Sequence, residues 1–398
     1  RALKMMEKME EIYGKYDKDT EAAILYALSL NATADPTDKN YTNQRKAGAI
    51  LEAIFPEYPN HPGIAHYIIH SYDNPVLAEK ALPVARKYAD IAPGSSHAQH
   101  MPSHIFTRLG LWDESINSNS DAAASAVCYA ESAGFEGHWD EEMHALDYLV
   151  YAHLQKGDNQ KATEQMEYLN SIKKITPVNF KVAYSVAAIP ARIALENKDW
   201  QKAATLEFSP VGIAWEQFPW QAAIVHFTRA LGASHIGNIK GAEKEIATLQ
   251  TLHQKLVENE KEYEANQVMI QLKASKAWLH IAKGNKKEAI SLQQEAADME
   301  DKTSKHPVTP CEVLPARELL GDLYLAMGNP AEALIAYEKT LINTPGRFNS
   351  IYGAAIASKK LGKQQEAKMY FEKLIKLSES VANSRPEIAE AKGYVATI

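Results

Sequence analysis

Cysteine is scarce in this chain of 398 residues, which has only Cys128 and Cys311, far apart in the sequence. This scarcity excludes a disulfide framework and a metal site built from thiolates. There is no apolar stretch of membrane-spanning length, and no run of like charge in a chain whose net charge is -7. We therefore expect neither a membrane span nor binding to nucleic acid.

Several catalytic signatures are also missing from the sequence. It lacks the phosphate-binding G-x-x-x-x-G-K-[ST], the dinucleotide-binding G-x-G-x-x-G, the nucleophile elbow G-x-S-x-G and the metalloprotease H-E-x-x-H. The absence of these motifs removes the main sequence evidence for the common classes of hydrolase and nucleotide-binding enzyme. The chain opens at Arg1 within a helical pattern and has no secretory signal, so we expect a soluble protein with a trimmed N-terminus and leave its compartment open.

An internal repeat of about 34 residues organises the chain. Its clearest copy is LLGDLYLAMGNPAEALIAYEKTLINTPG, in which an apolar-periodic helix is followed by the turn Gly328-Asn329-Pro330 and a second helix. The second helix carries the small residue Ala333 and the aromatic Tyr337, and Pro345 ends the unit. Small residues let the two helices approach each other, and the aromatic ring fills the space between pairs.

The same order of turn and small residue recurs along the sequence. Looser N-terminal copies place Ala47 and Ala81 in the small position, and the other copies pair a turn with a small residue five positions later: Gly110 with Ser115, Gly157 with Ala162, Lys198 with Ala203, Gly237 with Ala242, Gly284 with Ala289, and Gly362 with Ala367. The sequence thus predicts about nine helix pairs. We expect an all-α, right-handed superhelical solenoid of antiparallel helix pairs, with segments 1–301 and 302–398 divided by a stretch rich in Pro and Thr.

These repeats resemble the tetratricopeptide repeat family over nearly the whole chain. The stretches HPGIAHYIIHSYDNP and HAQHMPSHIFTRLGLWDESI are similar to a recurrent type of bacterial repeat protein. The resemblance implies that the first helix of each pair lines a concave groove, where repeat positions 2, 5, 9, 12 and 13 touch a ligand. It also implies that the groove binds peptides or partner proteins, although the peptide-clamping members use Lys and Asn where this chain has His, Asp and Tyr.

Histidines are concentrated on the predicted groove face. Nine of the 14 histidines lie between His61 and His153. The pairs His66/His70 and His100/His104 are each four residues apart, so both members lie on one helix face and can bind one ion. The two pairs fall at the same repeat positions on adjacent helices, whose axes should be about 8–10 Å apart.

We therefore predict a transition-metal site, for Zn, Fe, Cu or Ni, because imidazole nitrogens with nearby carboxylates suit these ions better than Mg or Ca. The candidate metal ligands are His66, His70, His100, His104, His144 and Asp147. Further candidates for contacting a small polar or anionic ligand are His97, Arg108, Asp140, Tyr151 and Arg192.

Other interpretations of the same residues stay open. The imidazoles can instead hydrogen-bond an organic ligand, a peptide or a partner protein in a non-catalytic adaptor, or they can be structural polar packing. Arg192 can anchor an anionic group, or it can be solvated or form an ion pair between repeats. The sequence also leaves open whether a bound metal would support catalysis.

Overall fold

The computed structural model describes residues 1–209, 211–382 and 385–397. It divides into two compact units, Arg1–Ala126 and Val127–Ile398, and the boundary falls within one long helix. The sequence predicts a division at 301/302, and that boundary stays a prediction. The Pro- and Thr-rich segment belongs to the second unit, where Arg192 donates a hydrogen bond of 2.8 Å to the backbone oxygen of Cys311.

The first unit is helical throughout its regular elements. Its helices are α1 (Ala2–Lys15), α2 (Thr20–Ala32), α3 (Thr42–Ile54), α4 (Pro62–Tyr72), α5 (Ala78–Ile91), α6 (Ser96–His100), α7 (Pro102–Leu109) and α8 (Trp112–Ser132), which continues past the boundary. The core of this unit is formed by apolar side chains of α2 to α7, including Leu51, Ile68 and Ile105.

The second unit continues the pattern with longer helices. Its elements are β1 (His138–Trp139), α9 (Asp140–Gln155), α10 (Asn159–Ser171), β2 (Ile175–Thr176), α11 (Phe180–Glu196), α12 (Trp200–Ala204), a 3-10 helix (Trp215–Gln217), α13 (Pro219–His235), α14 (Ile239–Glu258), α15 (Glu262–Ala282), α16 (Lys286–Lys302), α17 (Ala316–Ala326), α18 (Pro330–Asn343), α19 (Phe348–Lys360), α20 (Gln364–Leu377) and α21 (Pro386–Ala396). The strands β1 and β2 pair in parallel over two residues each, too short for a periodic sequence signal.

The predicted turn chemistry is present at the seven copies in which a turn residue precedes the small residue. The seven turn residues have positive φ angles between 52° and 81°, which end each first helix: Gly110, Gly157, Lys198, Gly237, Gly284, Gly328 and Gly362. The small residue that follows each turn is fully buried: Ser115, Ala162, Ala203, Ala242, Ala289, Ala333 and Ala367. A larger side chain at any of these positions would push the two helices of the pair apart.

The chain therefore has the predicted all-α repeat fold. Among the described residues, α2 and α3 form the first antiparallel pair and α19 and α20 the last, in the number that the sequence indicated. None of the described helices has both the length and the apolar character that a bilayer crossing requires.

Candidate metal centre

Helix α4 presents two predicted ligands on one face. His61 caps its N-terminus by accepting the backbone N–H of Ile64, and Pro62 occupies its first turn. His66 and His70 lie one turn apart with ring centroids 4.6 Å apart, in an edge-to-face arrangement. The opposite face of the helix is buried in the core.

Helices α6 and α7 carry the other three histidines of the first unit. Ser95 caps α6, and Pro102 begins α7 where it cannot supply a backbone donor. Helix α6 is fixed to α8 because the Ser96 hydroxyl donates to the backbone oxygen of Ala122 over 2.8 Å. His97 is exposed at the start of this segment, whereas His100 and His104 are buried.

The five side chains form a closed circuit that we call the histidine ring, consisting of His66, His70, His104, His100 and His97. Neighbouring ring centroids around the circuit are 4.6, 6.1, 4.9, 6.4 and 5.1 Å apart, in the order His66–His70, His70–His104, His104–His100, His100–His97 and His97–His66. The structure thus brings the two predicted His-x3-His pairs together and adds His97 to them.

Hydrogen bonds fix how His100 and His104 present their nitrogens. His104 Nδ1 lies 3.0 Å from Asp73 Oδ2, and His100 Nδ1 lies 2.6 Å from Asn119 Oδ1. Both partners are acceptors, since the amide nitrogen of Asn119 donates to the Ser115 backbone oxygen. Each Nδ1 therefore donates a proton to its partner, and Nε2 is the nitrogen that each ring turns away from these acceptors. The two Nε2 atoms lie only 3.0 Å apart.

Asp73 connects the ring to Arg108. The Arg108 Nε donates to Asp73 Oδ1 over 2.8 Å, and the other carboxylate oxygen bonds His104. Both Asp73 and Arg108 are largely buried. Arg108, predicted as a ligand-contacting residue, therefore holds the carboxylate that orients His104.

Burial keeps the α4 histidines neutral. Burial, reinforced by the neighbouring imidazoles, lowers the pKa of His66 to about 4 and that of His70 to about 3. Near pH 7 both rings therefore carry a lone pair that can bind a cation. The hydroxyl of Tyr88 lies 3.3 Å from Nδ1 of His66 and helps to orient that ring.

The remaining predicted site residues belong to the second unit, on α9 and α11. Arg192 is fully buried and donates from Nε to Asp147 Oδ1 over 3.1 Å. Its other nitrogens donate to the backbone oxygens of Cys311 and Glu312, and its guanidinium lies 5.1 Å from the ring centroid of Tyr151. Arg192 and Asp147 thus form a buried ion pair between two helices, as one of the interpretations of Arg192 predicts. Neither charged group is exposed to solvent.

Asp140 and His144 also have partners within the second unit. Asp140 accepts from Asn179 over 2.7 Å and pairs with Lys181 over 2.8 Å, next to the start of α9. His144 is buried and stacks edge-to-face on Tyr148 at 5.4 Å. The prediction that His144 and Asp147 join the histidines of α4 and α7 stays a prediction.

The repeat units themselves match a known family. The family model described as tetratricopeptide repeat matches residues 314–341 and 349–381, which cover most of α17 to α20. The turn and small-residue geometry of these helices recurs at five earlier turns, from Gly110 to Gly284. The chain therefore contains tetratricopeptide repeats at residues 314–341 and 349–381.

Solved structures resemble this chain only distantly. A tetratricopeptide repeat protein from Parabacteroides merdae is 16% identical, with a TM-score of 0.35, over 76% of this chain and 98% of that one. Yeast Tom70 is 13% identical, with a TM-score of 0.38, over 100% and 95% of the two chains. A monomeric mutant of IFIT1 with m7Gppp-AAAA is 13% identical, with a TM-score of 0.38, over 94% and 76%. These scores carry no argument about function. No curated protein matches the sequence significantly.

One residue of the site, Asn119, is not predicted from the sequence. Asn119 lies on α8, the second helix of its pair, whereas the predicted ligands all lie on first helices. It is four residues after the buried Ser115 and therefore shares its inward face. An amide at such a position needs a buried partner, and that signal could have identified it.

Proposed function

We propose that the first unit binds a divalent transition metal through the histidine ring, with His100 and His104 as its central ligands. The fold is that of a protein-interaction scaffold, since tetratricopeptide repeats bind peptides or proteins. In this chain the ring adds a set of neutral nitrogen donors. Imidazole nitrogen favours Zn, Cu, Fe and Ni over Mg and Ca.

The observation that carries the proposal is the 3.0 Å separation of the two Nε2 atoms. With both Nδ1 atoms donating to other partners, the two rings turn their Nε2 atoms towards one point in a buried site. A cation placed there would be bound by both nitrogens. An ion at roughly 2.0–2.1 Å from both nitrogens would make a nitrogen–metal–nitrogen angle of about 95°, an acceptable value for these metals.

The hydrogen bonds of Asp73 and Asn119 support the same conclusion. Metal-binding histidines usually donate their second ring nitrogen to a carboxylate or carbonyl oxygen, which fixes the tautomer and makes the ligand more basic. His104 and His100 have such partners on Nδ1. A shared proton between the two Nε2 atoms is the competing account, and it predicts no metal.

Elemental analysis of the full chain tests the proposal. The protein should be purified without a histidine tag and then dialysed against excess Zn²⁺. We expect at least one bound equivalent in the wild type and in the control His253→Asn, which lies in the second unit, and a clear loss in the double variant H100N/H104N. Metal well below one equivalent in the wild type, unchanged by added ions, would remove the proposal.

The non-catalytic adaptor predicts a different pattern in the same proteins. Metal content would be near zero in all of them, while capture of a partner peptide or protein would weaken in H100N/H104N and persist in His253→Asn. A structural role alone predicts that the double substitution changes thermal stability and neither metal content nor partner capture. The three outcomes therefore separate the three interpretations.

A further inference from the structure

The histidine ring is not evenly spaced, and its spacing divides it into a pair and a triad. The separations within the pair His100/His104 and along the triad His70–His66–His97 are 4.9, 4.6 and 5.1 Å between ring centroids. The two links between the sets, His70–His104 and His97–His100, are longer, at 6.1 and 6.4 Å.

These distances match the geometry of ligands that share an ion. Two imidazoles bound to one tetrahedral ion through their nitrogens have ring centroids about 5 Å apart, given metal–nitrogen bonds of roughly 2.0–2.1 Å. The separations within each set are close to this value, whereas the links between the sets exceed it. A single ion therefore cannot take all five rings without large rearrangement.

The triad is a ligand set in its own right. One ring nitrogen each from His66, His70 and His97 lies within 4.8 Å of the other two. Around a tetrahedral ion these nitrogens would be about 3.4 Å apart, so they need to close by little more than 1 Å, which side-chain rotation can supply. Tyr88 contacts Nδ1 of His66 over 3.3 Å and orients this ring.

The two sets also differ in their access to water. His100 and His104 are buried, whereas His97 is exposed and His66 and His70 are half-buried. Three nitrogen ligands on the solvent side leave a fourth position for water or an incoming ligand, as in metal sites that exchange their ligands.

We propose that His66, His70 and His97 form a second, solvent-facing transition-metal site beside the buried pair, so that the first unit holds two ions. This inference rests on the proposed function for the identity of the ligand, but it concerns different atoms and is tested separately. The open site is where an ion or an exogenous ligand enters from solvent.

Zinc stoichiometry tests the second site. The full chain and its variants are dialysed against a series of Zn²⁺ concentrations, and bound zinc is measured by elemental analysis. We expect two equivalents in the wild type and in His253→Asn, one in H66N/H70N, and one in H100N/H104N. The single variant His97→Asn, which changes an exposed residue, should lose the second equivalent at zinc concentrations that fill it in the wild type.

Other results would overturn this inference, and they differ from those that remove the proposed function. One equivalent in the wild type, lost in both double variants, would indicate a single site across the ring. Two equivalents retained in H66N/H70N and in His97→Asn would place the second ion elsewhere. Absence of zinc from every protein would remove the proposed function as well. Far-UV circular dichroism of each variant checks that the repeats remain folded.

Discussion

The two units of this protein bury polar side chains in different ways. In the second unit, buried charges meet opposite charges: Arg347 pairs with Glu196 over 2.8 Å and with Glu318 over 2.6 Å, and all three side chains are almost completely buried. In the first unit, the buried pair His100/His104 directs like atoms towards each other, nitrogen against nitrogen, at 3.0 Å.

The difference teaches how each unit uses its buried polar groups. The guanidinium and carboxylates of the second unit form ion pairs, although Nη1 of Arg347 has no hydrogen-bond partner among the described residues. Buried polar contacts also join distant repeats there: Gln155 on α9 accepts the backbone N–H of Phe348 on α19. The imidazoles of the first unit are oriented by their neighbours so that two Nε2 atoms face each other, and the proposed cation would lie between them.

The largest expected effect comes from breaking the ion cluster of the second unit. Arg347→Met leaves the carboxylates of Glu196 and Glu318 buried without their counter-charge, and we expect a loss of about 3–5 kcal/mol in the free energy of unfolding. Urea unfolding followed by tryptophan fluorescence measures it. The control is Arg86→Met, whose ion pair with Glu114 lies at the surface and should contribute much less to stability. Equal effects of the two substitutions would contradict the comparison.

The stability of the protein should depend on pH through His235. The His235 ring is stacked between two tryptophans, with its centroid 3.6 Å from that of Trp200 and 4.2 Å from that of Trp278. Burial there lowers the pKa of His235 to about 4. The unfolded chain binds this proton near its ordinary pKa, so stability is complete above about pH 6.5 and falls as the pH drops towards 4, by on the order of 3 kcal/mol.

The variant His235→Phe isolates this contribution. It keeps an aromatic ring in the stack but cannot titrate, so it should lose less stability than the wild type between pH 7 and pH 4.5. Unfolding free energies at several pH values provide the comparison. Parallel pH profiles of the two proteins would show that His235 does not contribute.

A smaller effect is expected from weakening the support of the histidine ring. Asp73→Asn keeps the shape of the side chain but removes the charge that holds His104 and Arg108. Loss of such an orienting carboxylate typically weakens metal binding by roughly tenfold to 100-fold. Zinc titration measures the change, with Asp90→Asn, an exposed position on α5, as the control. An unchanged affinity in Asp73→Asn would mean that the carboxylate does not support the site.

The smallest expected effect is the loss of stability when a turn glycine is replaced. This loss should be equal in the two units, because both are built from the same kind of helix pair. Gly110 in the first unit and Gly284 in the second end a helix with φ angles of 69° and 81°. Alanine at either position would cost about 1 kcal/mol, since side chains disfavour this backbone conformation. Thermal unfolding of the two variants tests the equality, and a large difference would show that the scaffold itself differs between the units.

The repeat fold could be predicted from the sequence because its signals are local. A turn residue such as Gly328 and a small residue five positions later lie within one helix pair, so their spacing alone predicts the antiparallel packing. The pairs His66/His70 and His100/His104 were found for the same reason, since four residues make about one turn.

The partners of the buried groups could not be predicted, because they come from distant parts of the chain. Arg192 lies 45 residues after Asp147 and 119 before Cys311, and no repeat register indicates that these residues meet. Asp73 is separated from His104 by 31 residues, so the hydrogen bond that orients His104 could not be predicted from the sequence either. The division at residue 126 likewise depends on packing rather than on the composition of a linker.

Anomalous diffraction from crystals of the untagged full chain, grown with Zn²⁺ and measured on both sides of the zinc absorption edge, tests the central claim most directly. The account predicts a zinc peak between His100 and His104, about 2.0–2.1 Å from each Nε2 atom. The absence of a peak there in saturating zinc, with the two nitrogens joined by a shared proton, would contradict it.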